Sequence, residues 1–277
     1  YDALYHAASA TLNELAKDAK YLGANIGYIC ILHTWGSAMN YHPHIHTIVL
    51  GGGLDDENKW KETGGKFFLP YGVISKVFRG KYLDELKSLW NDSKLKFHGT
   101  AEKYQNSYRF KELLDKCYEK NWVTYCKETF NGAQSVISYL GKYTHRIAIS
   151  NHRIKSMTDT TVTYVVKDYK NEGCWKEKTI SGEEFIRRFM MHVPPKRFVR
   201  IRHYGLLSCR NKRKKITHCR NLLGCKKYIS TLKNLNAIEM IKVLYHIDVC
   251  KCSSCGGNMV SPRKDKYSSS FHAHMRC

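Results

Sequence analysis

The sequence predicts an α+β fold in which a central antiparallel sheet carries a pair of histidines and helices pack against that sheet. First, residues 28–34 are largely apolar and β-prone, which indicates a buried strand. Second, Pro43 is followed by a strand-like segment, residues 44–50, that ends at three glycines. Third, apolar residues recur at helical intervals on both sides of these strands. Consecutive strands with a short connection are most often antiparallel neighbours.

The other elements follow from the same apolar spacing and from turn residues. Helices are predicted over residues 2–17, 71–94, 109–120, 132–146, 183–192 and 228–245, with a basic helix that ends at residue 223. Further strands or extended pieces are predicted over residues 67–70, 122–126, 147–151, 161–167, 176–180 and 198–207, with a polar turn region at 54–61.

The composition changes after residue 207, and this change predicts two parts of unequal size. Residues 210–215 are a charge run, and the chain ends in a segment rich in Cys and His. We therefore predict a main α+β domain over residues 1–207 and a small basic helical, Cys-rich part over residues 208–277. Because the chain opens at Tyr1 without a methionine and ends inside the Cys/His-rich segment, we expect it to be a fragment.

The charge of the chain indicates a polyanionic partner. It has 46 Lys and Arg against 24 Asp and Glu, a formal net charge of +22, and nucleic acid is the simplest partner for such an excess. A membrane surface is the competing polyanion, but the sequence contains no run of about 18 apolar residues and no signal-peptide pattern. The 11 scattered cysteines indicate reduced thiols in the cytoplasm.

The segment His42-Pro-His-Ile-His46 predicts a metal site. Side chains alternate along a strand, so His44 and His46 share one face and lie about 6–7 Å apart, as a pair of ligands for a divalent cation would. In an antiparallel hairpin the end of the first strand lies beside the start of the second, so His33 is expected to join them. The competing interpretation is a set of half-exposed or core histidines whose polar atoms are satisfied.

Two tyrosines on the helix predicted over residues 132–146 are candidate nucleophiles. Tyr139 and Tyr143 are four residues apart and so share one helix face. A phenol is a weak nucleophile at neutral pH because its pKa is about 10, but a nearby divalent cation polarises a target phosphate. The phenolate can then attack phosphorus and leave a covalent phosphotyrosine. The alternative interpretation is that both tyrosines only pack in the core.

The longer motifs around these residues resemble one known family. His44-Ile-His46 resembles the His-hydrophobic-His motif of the HUH endonucleases, and Tyr139-Leu-Gly-Lys-Tyr143 resembles their Tyr-x-x-x-Tyr motif. Segments at residues 32–36, 43–53, 139–152 and 200–205 resemble, in the same order, the two-tyrosine transposases of the insertion-sequence-91 family. The similarity extends over about residues 1–260. Each motif is weakly specific alone, whereas the ordered set is specific.

The resemblance implies an HUH endonuclease-like fold and a rolling-circle transposase with its catalytic domain in residues 1–207. The implied activity is the nicking and joining of single-stranded DNA through a 5′-phosphotyrosine, with Mg²⁺ or Mn²⁺ as the cofactor. It places the protein in the cytoplasm, associated with the nucleoid and without a membrane partner. A second hypothesis, from a different class, is a non-catalytic zinc-dependent nucleic-acid-binding protein or a decayed transposase.

The resemblance also implies roles for individual residues. Carried over position by position, His44 and His46 are metal ligands, and Tyr139 and Tyr143 are nucleophiles. The motif does not supply a third ligand, for which we expect His33 and rank Gln134 second. Basic residues near the site are expected to contact DNA phosphates, which gives affinity and salt dependence rather than sequence choice. These DNA-binding candidates are Lys142, Arg146, Arg153, Arg200 and Arg202.

The C-terminal part contains a separate candidate zinc site. Cys252-Ser-Ser-Cys255-Gly-Gly has the spacing of half a zinc knuckle, with glycines that suit a tight turn around a metal. The other two ligands stay unassigned, although His272, His274 and Cys277 lie within reach in the sequence. The alternative interpretation is a pair of free thiols.

Overall fold

The histidines lie on a four-stranded antiparallel sheet of the computed structural model. The structure describes the chain except residues 65–68, 127–132, 145–146, 169–170, 226–231, 233 and 260–277, and except the side chains of 133–134 and 142–144. The strands of this sheet lie in the order β3-β2-β1-β7. Their bounds are β1 Asn25–Trp35, β2 Tyr41–Leu54, β3 Trp60–Glu62 and β7 Ile201–Gly205.

Helix α1, Asp2–Lys17, packs on one face of this sheet, where it meets every second residue of β1. Tyr28 and Leu32 of β1 lie in a buried core with Tyr5 and Leu12 of α1. Ile31 and His33, which alternate with them, face the other side of the sheet. Helix α4, Ala133–Thr144, contacts β1, and its Tyr139 bonds His46 on that other side. The predicted α+β class is therefore confirmed.

Strand β2 is longer than predicted, because it does not end at the three glycines but runs through them to Leu54. The glycines allow close packing instead of a chain reversal. A Cβ atom on Gly53 would lie 2.6 Å from the carbonyl oxygen of Asn25, and one on Gly52 would clash with the indole of Trp60. Short β3 pairs with this end of β2, so the segment predicted as a polar turn region contains a hairpin.

A second antiparallel sheet, in the order β4-β5-β6, holds the loop between β1 and β2. Its strands are β4 Ile154–Met157, β5 Thr161–Asp168 and β6 Cys174–Ser181, followed by helix α5, Gly182–Met190. Met39 of the β1–β2 loop is fully buried against Tyr164 and Val166 of β5. The backbone N–H of Lys167 donates to the Ser37 hydroxyl at 2.6 Å. The hairpin that carries the histidines is thus fixed at its tip.

Two predicted strands are absent, each because tertiary contacts outweigh the local β propensity. Residues 147–150 are irregular and Asn151 begins a 3₁₀ helix, since Ala148 has a positive φ of 56° and is buried in the core of the second sheet. Residues 122–126 form no strand either. There the indole N–H of Trp122 donates to the carbonyl of Cys117, and Ser75 donates to the Trp122 carbonyl.

The remaining α-helices overlap the helices predicted from the sequence. They are α2 Tyr71–Asn91, α3 Ser107–Glu119, α6 Lys212–Leu222 and α7 Ala237–Tyr245. Helix α7 begins at a capping box formed by Asn236 and Glu239; most of residues 228–236, predicted as helix, lies outside the described residues or is not helical. The predicted piece at 67–70 also lies partly outside them.

By contact density the chain divides into two compact units, residues 1–225 and 226–277. Both sheets and helix α6 belong to the first unit, and helix α7 belongs to the second. The functional division that we predict at residue 208 stays a prediction.

Candidate metal centre and neighbouring tyrosine

The register of the β1–β2 hairpin brings three histidines together on one face of the sheet. His33 lies directly opposite His44, and Ile31 lies opposite His46. Since paired residues in an antiparallel ladder point to the same face, the three imidazoles converge. His33 thus joins the two histidines of the motif because the hairpin has this register.

The spacing of the imidazole nitrogens fits a bound metal ion. His33 Nδ1 lies 3.3 Å from His44 Nε2, and His44 Nε2 lies 3.1 Å from His46 Nε2. Ligands about 2.1 Å from one ion, with angles of about 90° to 110° between them, are about 3.0–3.4 Å apart. All three ligand atoms lie within 4.8 Å of one another. Three histidines also leave coordination positions for water or substrate.

A hydrogen bond on the far side of the His44 ring determines which of its nitrogens carries the proton. His44 Nδ1 lies 2.7 Å from the carbonyl oxygen of His42. A carbonyl only accepts, so the proton is on Nδ1, and Nε2 of neutral His44 carries a lone pair directed at the other two rings. Such an outer bond to a backbone carbonyl is typical of metal-binding histidines.

The protein environment keeps the three imidazoles uncharged. Burial, together with the neighbouring imidazoles and Arg200, lowers the pKa of His33 to about 3. Burial and the neighbouring His44 lower the pKa of His46 to about 4. Burial also lowers the pKa of His44. Neutral imidazole is the form that binds metal, so the ligand set is available throughout the neutral pH range.

These lowered pKa values predict that the free energy of unfolding decreases in acid. Above pH about 6.5 His33 is neutral in both the folded and the unfolded chain. As the pH falls below that value, the unfolded chain takes up a proton that the folded chain does not, so the free energy of unfolding decreases until the folded pKa is reached. The expected slope for this one residue is at most about 1.4 kcal/mol per pH unit.

Urea unfolding of the chelator-treated protein between pH 7.5 and 4.5 measures this slope. A His33→Gln variant is expected to show a shallower slope, and a His98→Gln variant, which changes an exposed histidine, is the matched control. Equal slopes for His33→Gln and the unchanged protein would contradict the assignment of a buried, neutral His33.

One of the two predicted tyrosines reaches this cluster. Tyr139 Oη lies 3.0 Å from Nδ1 of His46, the ring nitrogen that faces away from the other histidines. The two rings are nearly perpendicular, at 76°, with centroids 6.1 Å apart. Tyr143 lies one turn further along α4, but its side chain is outside the described part of the structure.

Three other predicted site residues also lie partly or wholly outside the described part. Gln134 and Lys142 belong to α4, but their side chains are not described, and Arg146 is not described at all. Their predicted roles in metal or DNA binding stay predictions.

The three described arginines have different surroundings. The Arg153 guanidinium donates to the carbonyls of Ser37 and Val165 and so ties the β1–β2 loop to the second sheet. On the α1 face, the Arg202 guanidinium lies 3.9 Å from the ring centre of Tyr5 and donates a hydrogen bond to the carboxylate of Asp2. Arg200 lies 5.6 Å from the ring centre of Trp35, near His33. Of the three, Arg200 is the one placed beside the histidines.

The sequence does not predict two residues beyond Trp35, the aromatic neighbour of His33. His192 is buried and bonds the Thr34 hydroxyl at 3.2 Å and the Met39 carbonyl at 3.1 Å. Tyr41, at the first position of β2, stacks beside it with ring planes 14° apart. No local motif marks either residue, because His192 is brought there by the second sheet and helix α5.

The cysteine pair of the second unit lies on a tight turn. The Cys252 N–H donates to the carbonyl of Gly257 at 2.8 Å, and the Gly256 N–H donates back to the carbonyl of Cys252 at 2.9 Å. Gly256 has a φ of 72°, which favours glycine. Cys252 is partly buried and Cys255 is exposed. Zinc binding by this pair stays a prediction, as the histidines and cysteine after residue 260 lie outside the described residues.

The fold and the site together define a strongly basic α+β protein with a candidate three-histidine metal centre beside a helical tyrosine. The sequence matches the family described as "Putative transposase" over residues 27–215, which includes the histidine cluster, helix α4 and strand β7. The chain belongs to this transposase family.

Two curated relatives agree with this family. The chain is 40% identical over 225 residues to "Putative transposase y4qJ" of Sinorhizobium fredii, an alignment that covers 81% of this chain and 56% of the relative. It is 28% identical over 262 residues to "Transposase for insertion sequence element IS801" of Pseudomonas savastanoi pv. phaseolicola, covering 94% of this chain and 61% of the relative. The chain thus spans a little over half the length of these relatives. No solved structure matches it.

Among the described residues, no helix is both long enough and apolar enough to cross a membrane.

Proposed function

We propose that this chain contains the catalytic core of a transposase that cuts and rejoins single-stranded DNA through a phosphotyrosine on helix α4. The observation that carries the proposal is the 3.0 Å contact between Tyr139 Oη and His46 Nδ1. It places a potential nucleophile one imidazole ring away from the point where three ring nitrogens converge. The transposase family and the IS801 relative support a DNA substrate.

The histidines fit a divalent cation, and His33, His44 and His46 would hold it. When bound, such an ion polarises the scissile phosphate and offsets the negative charge that develops on its oxygens. An all-nitrogen ligand set suits a first-row transition ion better than Mg²⁺, which prefers oxygen ligands. Of the two metals suggested by the family resemblance, we therefore propose Mn²⁺.

His46 is proposed to orient the attacking oxygen. With Nε2 committed to the metal position, the proton of the neutral imidazole is on Nδ1, which then donates its N–H to Tyr139 Oη. This hydrogen bond aligns the oxygen and stabilises negative charge on it as its own proton leaves to solvent. The oxygen bonds to phosphorus, the bond from phosphorus to the 3′-oxygen breaks, and the released 3′-oxygen takes up a proton.

The test is the formation of a covalent complex between the protein and DNA. The protein is incubated with labelled single-stranded oligonucleotides from a randomised library, with Mn²⁺, Mg²⁺ or chelator, and analysed on a denaturing gel. We expect a labelled band that resists denaturation with Mn²⁺, a weaker one at equal Mg²⁺ concentration, and none with chelator. Binding that falls steeply with salt, without a covalent band, would instead support the non-catalytic DNA-binding alternative.

A further inference from the structure

A β-bulge at the start of β2 turns Tyr41 onto the face of the sheet that carries the histidines. His33 pairs with His44, but Trp35, two residues further along β1, pairs with Tyr41, three residues back along β2. In a regular ladder the partner of Trp35 would be His42, and Tyr41 would face α1. The extra residue re-aims this side chain, as bulges beside functional sites often do.

The consequence is a continuous row of rings from the metal centre to the solvent. His33 and Trp35 have ring centroids 3.8 Å apart, Trp35 and His192 lie 5.8 Å apart, and His192 and Tyr41 lie 6.3 Å apart. The row ends at Tyr41, which is 50% exposed, whereas His192 is only 3% exposed. A large aromatic ring is therefore presented to solvent close to the candidate active site.

This ring is held in place before any ligand binds. His192, on which it stacks, is fixed through both ring nitrogens by Thr34 and Met39. The Tyr41 hydroxyl bonds the Tyr1 hydroxyl at 2.7 Å. The loop before Tyr41 is fastened to the second sheet by the Lys167 N–H and the Arg153 guanidinium. A preorganised surface loses little conformational entropy on binding, which favours its use for recognition.

The surroundings of the ring favour one kind of ligand. Arg200 places its guanidinium over Trp35 of the same row, and the chain carries a net charge of +22. A flat aromatic surface beside a cation fits a flat ring attached to a phosphate. An unpaired nucleobase has both parts, and base-to-aromatic stacking is the usual way in which proteins bind single strands.

We propose that Tyr41 is the stacking platform for an unpaired base close to the cleaved phosphate. His44 is three positions after Tyr41 along β2, a span of about 10 Å at about 3.3 Å per residue. That distance corresponds to about three nucleotides at the stacked rise of about 3.4 Å, and to fewer if the strand is extended. Because a base within a duplex has no free face, this platform would select single-stranded over double-stranded DNA. The proposal rests on the proposed function and specifies its substrate.

Binding measurements with four variants test this proposal. Tyr41→Ala and Tyr41→Leu remove the aromatic face, Tyr41→Phe keeps it, and Tyr108→Ala removes an exposed tyrosine of α3 as the matched control. We expect both non-aromatic variants to bind a single-stranded oligonucleotide between about 5-fold and 150-fold more weakly. Tyr41→Phe and Tyr108→Ala are expected to stay within about twofold of the unchanged protein, and duplex binding should not change.

The Leu variant separates stacking from packing, since it keeps apolar bulk in a strand without a π face. If Tyr41→Leu binds single strands as tightly as Tyr41→Phe, or if single-strand and duplex binding fall together, the proposal is overturned.

Covalent complex formation separates this question from the proposed function. In Tyr41→Ala the oligonucleotide concentration for half-maximal adduct should rise, whereas in Tyr108→Ala it should not change. If the unchanged protein forms no adduct, the binding arm still decides the proposal.

Discussion

Replacement of Tyr139 by phenylalanine is expected to reduce the covalent DNA adduct by about 10³-fold or more, the scale seen when an enzyme loses its nucleophile. Phenylalanine keeps the ring and loses the oxygen that lies 3.0 Å from His46. The loss of one hydrogen bond costs about 1 kcal/mol of stability, so the variant should fold. Gel assays of the Mn²⁺-dependent band measure the effect.

Three further variants make this prediction specific. Tyr108→Phe changes a tyrosine of α3 that is 73% exposed and should leave the adduct unchanged. Tyr143→Phe should retain the adduct formed in the first cleavage, because we infer from the contact with His46 that Tyr139 attacks first. The double variant with phenylalanine at both positions should form no adduct. An active Tyr139→Phe protein would refute the assignment, and an inactive Tyr143→Phe protein would reverse the order of attack.

Replacement of His44 by alanine is expected to weaken metal binding strongly and to abolish adduct formation. His44 Nε2 is the central donor, within 3.3 Å of a nitrogen of each of the other two histidines. Second-shell partners alone contribute about 10- to 100-fold to metal affinity, so loss of a direct ligand should weaken Mn²⁺ binding by more than about 100-fold. Calorimetric titration with Mn²⁺ measures the affinity.

His42→Ala is the matched control for this substitution. His42 lies two residues before His44 and is exposed, and its ring centroid lies 5.1 Å from that of His44. Its backbone carbonyl, which alanine retains, accepts the hydrogen bond from His44 Nδ1. Its Mn²⁺ affinity should therefore stay close to that of the unchanged protein. DNA binding without cleavage should persist in His44→Ala, since it depends on net positive charge. Equal Mn²⁺ affinities for the two variants would contradict the three-histidine centre.

The hairpin and its histidines were predictable because both depend on local rules. Alternation along β2 puts His44 and His46 on one face, and the short connection makes β1 its antiparallel partner. These rules were sufficient to place His33 near the pair. The length of β2 was not predictable, because glycines at positions 52 and 53 look like a strand end and instead permit close contact with Trp60 and Asn25.

The surroundings of the site depend on contacts distant in sequence, and for that reason they were not predicted. His192 reaches the cluster through a contact with Thr34 that spans 158 residues. Tyr41 lies opposite Trp35 and stacks on His192 because of a bulge that no residue pattern predicts. Ala148 adopts a left-handed conformation in a segment whose isoleucines favour a strand. In each case tertiary packing overrides local preference.

The sequence alone also does not show which arginines lie close to the candidate site. Their charge made Arg153, Arg200 and Arg202 candidates for DNA contacts. In the structure Arg153 binds backbone carbonyls, Arg202 pairs with Asp2 on the α1 face, and Arg200 lies near His33. Charge indicates the partner of a chain, whereas the position of each arginine depends on the fold.

The central claim is that a tyrosine of helix α4 attacks DNA beside a cation bound by three histidines. Peptide mapping of the Mn²⁺-dependent adduct by mass spectrometry tests it most directly, because the method identifies the modified atom. We expect a nucleotide joined through its 5′-phosphate to Tyr139, together with a free 3′-hydroxyl on the released strand. A nucleotide attached to any residue outside α4, or a cut strand with no protein attached, would contradict it.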